Sequence, residues 1–401
     1  MNKQIKQWAF IASCIALTVT AMTFAIRAGM LSQLNQVLQL TDSQLGWVNA
    51  MAFFGFPVAT IVGGALYKVL GARRLLIIAF VGHILGLLCT IFASGFYSLM
   101  FATFLIGLAN GAVEAGCNPL VTQLFPTKQT TMLNRFHVWF PGGIVLGSLL
   151  SISMTSFGLG WQYQFACLLV PTLLYGALLI RLPDDLVEEQ APEDPQHGVL
   201  KALFSPLFLF MLLCMTLTAS TELLTQQWIE RILRESGASA MFTLALITGV
   251  MAIGRYFAGP VIKQLNPLGV LLMSSVAAYM GIRFMSVAQG SEVYYAAIIF
   301  ALGVTYFWPT MLGFVSEKLP ETGALGLGVM GAAGMFAVSI WNPIIGQLVE
   351  RGPEEGTQNA SSTLVVLSYF PLSLVVAFGL LLLVSFYKAR RQTLKEVCHD
   401  S

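Results

Sequence analysis

The chain has 401 residues, of which 56% are hydrophobic and only 10% charged, with a mean hydropathy of +0.76; this balance excludes a soluble globular protein. A formal net charge of +2, with no basic cluster interleaved with aromatics, argues against nucleic-acid binding. The six cysteines are scattered through apolar segments and the tail without metal-ligand or redox spacing, so neither metal nor cofactor is expected.

Lys3 and Lys6 precede an apolar run that outlasts a signal core of roughly 7 to 15 residues, which predicts an uncleaved first span. A bilayer crossing needs roughly 20 apolar residues. By that measure twelve segments appear, at about 8–30, 44–69, 74–94, 96–125, 131–157, 161–182, 204–233, 238–263, 268–288, 292–316, 322–349 and 362–387. One long polar interruption, with Asp184, Asp185, Glu188, Glu189, Glu193, Asp194 and three prolines, reads as a flexible linker. The expected organisation is an all-α membrane protein of two six-helix bundles, 1–183 and 202–390, joined by a cytoplasmic linker over 184–201 and followed by a cytoplasmic tail over 391–401.

Basic residues fix the expected orientation. With the amino terminus inside, Lys3, Lys6, Lys68, Arg73, Arg74, Lys128, Lys201, Lys263, Lys318 and Lys388 fall on inner connections and tails, whereas Arg231, Arg234 and Arg351 fall outside. That asymmetry predicts two cytoplasmic termini, and the compact loops suggest a bacterial inner membrane. An internal repeat supports the division. Gly64 to Leu76 aligns without gaps on Gly259 to Leu271, an offset of 195 residues (259 minus 64), which carries Thr23 onto Thr218 and Arg27 onto Glu222.

Several polar residues sit where lipid-facing residues would be expected. In the first span, Arg27 cannot shed its charge at ordinary pH. Its alternatives are a structural ion pair with Glu222 or Glu114, or contact with a solute oxygen or carboxylate. In the fourth span, Glu114 costs roughly 2.5 to 3.5 kcal/mol at membrane depth and so should face a protein interior or a water-filled path. Asn110 and Asn118 lie four residues either side of it on one helix face. Gly107, Gly111 and Ala115 repeat at the same interval and would admit a neighbouring helix closely. A carboxylate that changes neighbours can take a proton on one side and release it on the other. Glu114 is therefore the leading candidate for proton coupling, the alternative being a fixed partner of Arg27 or Arg135.

In the fifth span Asn134, His137 and Trp139 precede Pro141-Gly142-Gly143, and His137 could join a relay with Glu114. In the seventh, Glu222 shares a face with Thr218 and Gln226, with Thr221, Thr225, Gln227 and Trp228 beside it, a set suited to the hydroxyl edges and ring faces of a sugar. Trp308 in the tenth span and Asn342 in the eleventh are candidate ligand contacts. Arg255 is expected to snorkel or to hold the inner loops together.

Twelve spans, a central loop and parallel repeats together resemble the major facilitator superfamily, in which the substrate site lies between the two halves. Of its loop signature, Gly64, Gly71, Arg73 and Arg74 fit, while Lys68 stands where an acidic residue is expected. Glu114-Ala-Gly-Cys-Asn-Pro119, with Leu133-Asn134 and Gly142-Gly143, resembles the fucose permease group of proton-coupled sugar symporters. That resemblance implies a proton-pathway role for Glu114. It departs at Ala28, which replaces that group's first-helix aspartate, and at Phe140, which replaces a solute-contacting asparagine.

The sequence thus predicts a secondary transporter moving protons with a sugar or related polyhydroxylated solute. The proton-coupling candidates are Glu114, Arg27 and Glu222, and the solute-binding candidates are Asn110, Asn118, Asn134, His137, Gln226, Trp308 and Asn342. Alternatives are an organic-anion symporter anchored by Arg27 and a drug or metabolite efflux antiporter. No catalytic constellation or phosphate loop argues for an enzyme, and the carrier is expected to be a monomer.

Overall fold

In the computed structural model, residues 3–125, 129–183, 196–234, 236–350 and 359–399 are described, and among them there is no strand. The first half comprises α1 (Lys3–Gly29), α2 (Leu31–Leu38), α3 (Asp42–Ile91), α4 (Phe96–Leu124), α5 (Gln129–His137), α6 (Trp139–Ser156), α7 (Trp161–Cys167) and α8 (Leu169–Ile180). After α9 (Gln196–Leu203) come α10 (Pro206–Gln227), α11 (Ile229–Ile232), α12 (Ala240–Tyr256), α13 (Ala258–Met285), α14 (Glu292–Val304), α15 (Phe307–Lys318), α16 (Gly323–Glu350) and α17 (Asn359–His399). Eleven of the described segments are long and apolar enough to cross a bilayer, and Ala240–Tyr256 supplies a shorter twelfth. They form two bundles of six crossings. The acidic part of the expected linker, 184–195, lies outside the described residues; its last residues are helical, in α9, and α17 continues into the expected tail as far as His399.

Local chemistry explains where helices start, bend and break. Thr41 caps α3 in a reciprocal box with Gln44. Ser205 caps α10, with Pro206 at the first helical position. Pro141, Pro171 and Pro309 each lack the N–H that would bond the carbonyl four residues earlier. The chain accordingly breaks after His137, after Cys167 and at Thr305, dividing three crossings into α5/α6, α7/α8 and α14/α15. Each long helix pair is bent at one residue. Gly71 (φ 69°, ψ 167°) bends α3 and Asn266 (φ 54°, ψ 163°) bends α13. These are equivalent positions of the 195-residue repeat, so the repeat extends to backbone conformation. Where the second copy lacks glycine, the Asn266 side chain accepts from Gly269 N–H (3.0 Å) and Pro267 follows, which starts the next helix.

Large apolar side chains on the outer surface, including Ile78, Leu146, Leu213, Met280 and Leu383, are exposed, as lipid contact requires. Within the first half, the small-residue face of α4 packs on α3. A Cβ on Gly107 would meet the carbonyl oxygen of Ala52, and one on Gly111 that of Phe56. The two halves touch closely at one end, chiefly through α3 with α16 and α6 with α12. They part toward the other end, which carries the basic bends near Arg73 and Lys263.

Candidate functional site

Between the halves, on the side where they part, lies a cavity of about 320 Å³. The first half contributes Thr60, Tyr67, Glu114, Asn118 and His137; the second contributes Trp308, Ser316 and Glu317. Glu114 is 7% exposed, since α4 is packed on α3 along its glycine face and turns its polar face inward. Asn118, one turn on, donates from Nδ2 to Glu114 Oε2 (2.5 Å) and accepts at Oδ1 from His137 Nε2 (3.1 Å). An amide oxygen only accepts, so His137 Nε2 is the donor in this contact. His137 therefore reaches Glu114 through Asn118 rather than directly, and the amide positions both groups. The break before Pro141 leaves His137 at the last position of α5, beside this wall. Tyr67 extends the polar surface by donating to Gln123 Oε1 (2.9 Å).

Neither basic partner expected for Glu114 is realised. Arg135 is exposed on α5, and Arg27 lies elsewhere. Nor does Arg27 pair with Glu222. Its Nε donates to Asn49 Oδ1 (3.0 Å) and its Nη2 to Gln227 Oε1 (2.9 Å), while its guanidinium lies 5.0 Å from the Phe24 ring centroid and 5.6 Å from that of Phe53. Glu222 is bound instead by Arg255, at 3.4 Å, and Arg255 also donates to the Thr305 carbonyl (2.9 Å). Arg255 is 3% exposed and belongs to this buried pair, so it neither snorkels nor joins inner loops. The pairing follows from the helix break at Thr305, which frees a carbonyl for the guanidinium.

The remaining predicted residues divide by location. Trp308 lines the cavity opposite Glu114. Asn110 lies deeper in the first bundle, accepting from His83 Nε2 (2.8 Å) and donating to Thr23 (3.2 Å), with Tyr175 on the other ring nitrogen of His83 (2.8 Å). Asn342 accepts from Trp228 Nε1 (2.9 Å) and is fully buried within the second bundle. The threonines around Glu222 turn back on their own helix: Thr218, Thr221 and Thr225 bond carbonyls three or four residues earlier. Gln226 borders a separate small void near the closed end. Asn134 belongs to α5, and its side chain, like that of Lys68 in the loop signature, lies outside the described residues.

The closed end holds residues that sequence reasoning passed over. Arg231 pairs with Asp42 through Nε (2.8 Å) and also donates to Ser32 (3.3 Å), which itself donates to Glu230 (2.6 Å). Ser43 N–H donates to Glu350 (3.0 Å), and the Ser339 hydroxyl donates to the Ala50 carbonyl (2.9 Å). Every one of these bonds joins one half to the other. Charges at span ends are ordinary, so nothing in the sequence marked Asp42 or Arg231 as partners.

Comparison with known proteins agrees with this architecture. The nucleoside transporter NupG superposes with a TM-score of 0.72 at 13% identity, covering 94% of this chain and 98% of its own. The 3-(3-hydroxy-phenyl)propionate transporter of Escherichia coli (strain K12) is 27% identical over 319 residues, 74% of this chain and 77% of its own. The D-xylose transporter of Levilactobacillus brevis is 24% identical over 174 residues, 42% of this chain but only 38% of its own length. Residues 11–342 match the Major Facilitator Superfamily. With two six-crossing bundles, a cavity between them and a match spanning ten and a half of the twelve crossings, the chain belongs to that superfamily of multi-pass membrane transporters and is not an enzyme.

Proposed function

We propose that the protein is a proton-coupled importer of a neutral polyhydroxylated solute, of the sugar class, working by alternating access. The carrying observation is the cavity wall. Glu114, Asn118 and His137 face Trp308 across it, and no Lys or Arg is among the described residues that line it. Amide, imidazole and hydroxyl groups opposite an indole face suit a solute with hydroxyl edges and apolar ring faces. A buried carboxylate with no cation beside it among the described residues suits a group that is loaded and unloaded with a proton rather than one held in a fixed ion pair. The similarity to a D-xylose transporter supports the solute class.

On this reading the cavity opens to the cytoplasm, since the end where the halves part carries the basic bends. The protein sits as a monomer in a bacterial inner membrane with both termini inside, and the two halves rock about the central site. Protonated Glu114 accepts solute from outside, and loss of the proton inside resets the carrier.

A second reading rests on Arg27, whose buried guanidinium has, among the described residues, only amides and rings for partners and could receive a carboxylate. The similarity to an aromatic-acid transporter favours it. External pH in a lightly buffered, de-energised suspension of expressing cells separates the two. Pooled neutral sugars are expected to alkalinise the medium, and Glu114→Gln is expected to abolish this while leaving counterflow intact. A response to pooled sugar acids and aromatic acids alone would transfer the solute to Arg27. Undiminished uphill uptake by Glu114→Gln would remove Glu114 from the proton path.

A further inference from the structure

Arg27 is held in an asymmetric way. Asn49, on α3, belongs to the same half as Arg27, whereas Gln227, at the end of α10, belongs to the other. Both amides accept from the guanidinium at nearly equal distances, 3.0 and 2.9 Å. Only the bond to Gln227 must break when the halves separate at this end. The groups around it are poorly satisfied. Gln227 Nε2, Asn49 Nδ2 and Gln226 Oε1 are buried with no hydrogen-bond partner, and these residues are 3%, 0% and 4% exposed. Gln226 and Gln227 border a void of about 10 Å³, room for one water, walled by Phe24 and Phe53 and distinct from the open cavity. Buried donors and acceptors left unpaired are costly, so this arrangement is ready to be exchanged for a better one.

We propose that Gln227 is a solute-displaceable latch: in the unloaded carrier it holds Arg27 across the two halves, and a hydroxyl of the incoming solute takes its place when the closed end opens. The unmet groups identify the ligand chemistry. Two orphan N–H donors and the guanidinium call for an acceptor, while the Gln226 carbonyl oxygen calls for a donor. A hydroxyl supplies both from one atom pair; a carboxylate supplies only the acceptor. The ligand class rests on the neutral-solute reading above, whereas the latch rests on the geometry alone. Gln227 is thus a positioning residue that sets how often the far end opens, and the proton chemistry stays at Glu114.

The test uses full-length protein in lipid nanodiscs carrying Ser339→Cys. Ser339 is 6% exposed in the closed interface between α16 and α3, and its maleimide labelling rate reports opening, with the parent's native cysteines as background. Gln227→Ala is expected to raise that rate about tenfold, the equivalent of one hydrogen bond to a charged group. Gln227→Glu, which puts a carboxylate on the guanidinium, should lower it. Asn49→Ala, which removes the equivalent bond within one half, should move it less than twofold. Pooled neutral aldoses including D-xylose should speed labelling of the parent but add little to Gln227→Ala.

A parent rate in Gln227→Ala, a shift of the same sign in Gln227→Ala and Gln227→Glu, or an Asn49→Ala effect matching Gln227→Ala would overturn the latch. If the substitutions behave as expected but only 3-(3-hydroxyphenyl)propionate speeds labelling, the latch stands and the neutral-solute reading falls. No response of the parent to either solute overturns displacement.

Discussion

Helix α3 packs against α4 on one side and α16 on the other, and both seams depend on glycine, yet they are built for opposite ends. On the α4 side, Gly107 and Gly111 press onto the backbone of Ala52 and Phe56, and the polar bonds that cross are hydroxyl donations such as Thr103 to the Val48 carbonyl (3.1 Å). On the α16 side, Gly46 lies against the backbone of Asn342 and Pro343, and a Cβ there would come within 2.8 Å of the Asn342 oxygen. That seam ends in charged clasps at its rim, Arg231 with Asp42 and Ser43 with Glu350. Groups at a rim can be handed to water when the seam opens, at little cost. The α16 seam also holds a hydroxyl inside, Ser339 on the Ala50 carbonyl, but it opens onto the path between the halves, whereas the α4 seam would open onto lipid, which offers no substitute partner. On the alternating-access reading proposed above, the first seam is permanent and the second reversible, and the charged clasps at the rim distinguish them.

The sharpest way to break this comparison is to add the same methyl group to each seam. Gly107→Ala drives a Cβ into the Ala52 carbonyl and should cost about 1–3 kcal/mol of stability, the usual price of overpacking. The expected result is a lower apparent melting temperature and reduced folded yield, with Ser339→Cys labelling of the surviving protein unchanged. Gly46→Ala inserts its Cβ between the halves, where they can yield by separating. Its melting temperature should stay near the parent's while labelling rises about tenfold, a shift worth about 1.4 kcal/mol. If Gly46→Ala lost as much stability as Gly107→Ala without gaining access, both seams would have to be permanent.

The permanent seam was legible in the sequence, and the partners across the reversible one were not. Hydropathy yields twelve crossings because a bilayer demands a nearly unbroken apolar run for each. The spacing of Gly107, Gly111 and Ala115 marks the face that α4 turns to a neighbour, and the repeat pairs Gly71 with Asn266 before any backbone angle is known. Partner choice is a different matter. By charge alone Arg27 should pair with Glu222 or Glu114, yet Glu222 takes Arg255 and Arg27 takes two amides. Which faces of separate helices meet is set by packing between distant segments, and composition does not encode it. Asn342 looks like a ligand contact from its depth, and only the approach of Trp228 shows that its oxygen is already used. Glu114 stood out because a carboxylate in mid-span has few bland explanations, whereas Asp42 and Arg231 sit where charges are commonplace.

Smaller effects grade the rim itself. Asp42→Asn leaves Arg231 with an amide and with Ser32. The side chains of the pair are 5% and 14% exposed, so salt reaches it only in part, and the amide that remains still accepts from Arg231. About a threefold rise in Ser339→Cys labelling is expected, shrinking as salt is raised from about 0.01 to 1 M, because the Debye length falls from roughly 30 to 3 Å. Glu350→Gln should do less. Its partner Ser43 is neutral and lies at the exposed edge of the seam, where water replaces a lost bond at once. A change below twofold with no salt dependence is expected, since an amide oxygen still accepts from the Ser43 N–H and hydroxyl. If Glu350→Gln instead matched Asp42→Asn in size and salt response, the seam would be held by its net acidic charge rather than by particular pairs. The contrast with α4 would then rest on electrostatics at long range, and neutralising Glu230 beside Ser32 should produce the same rise.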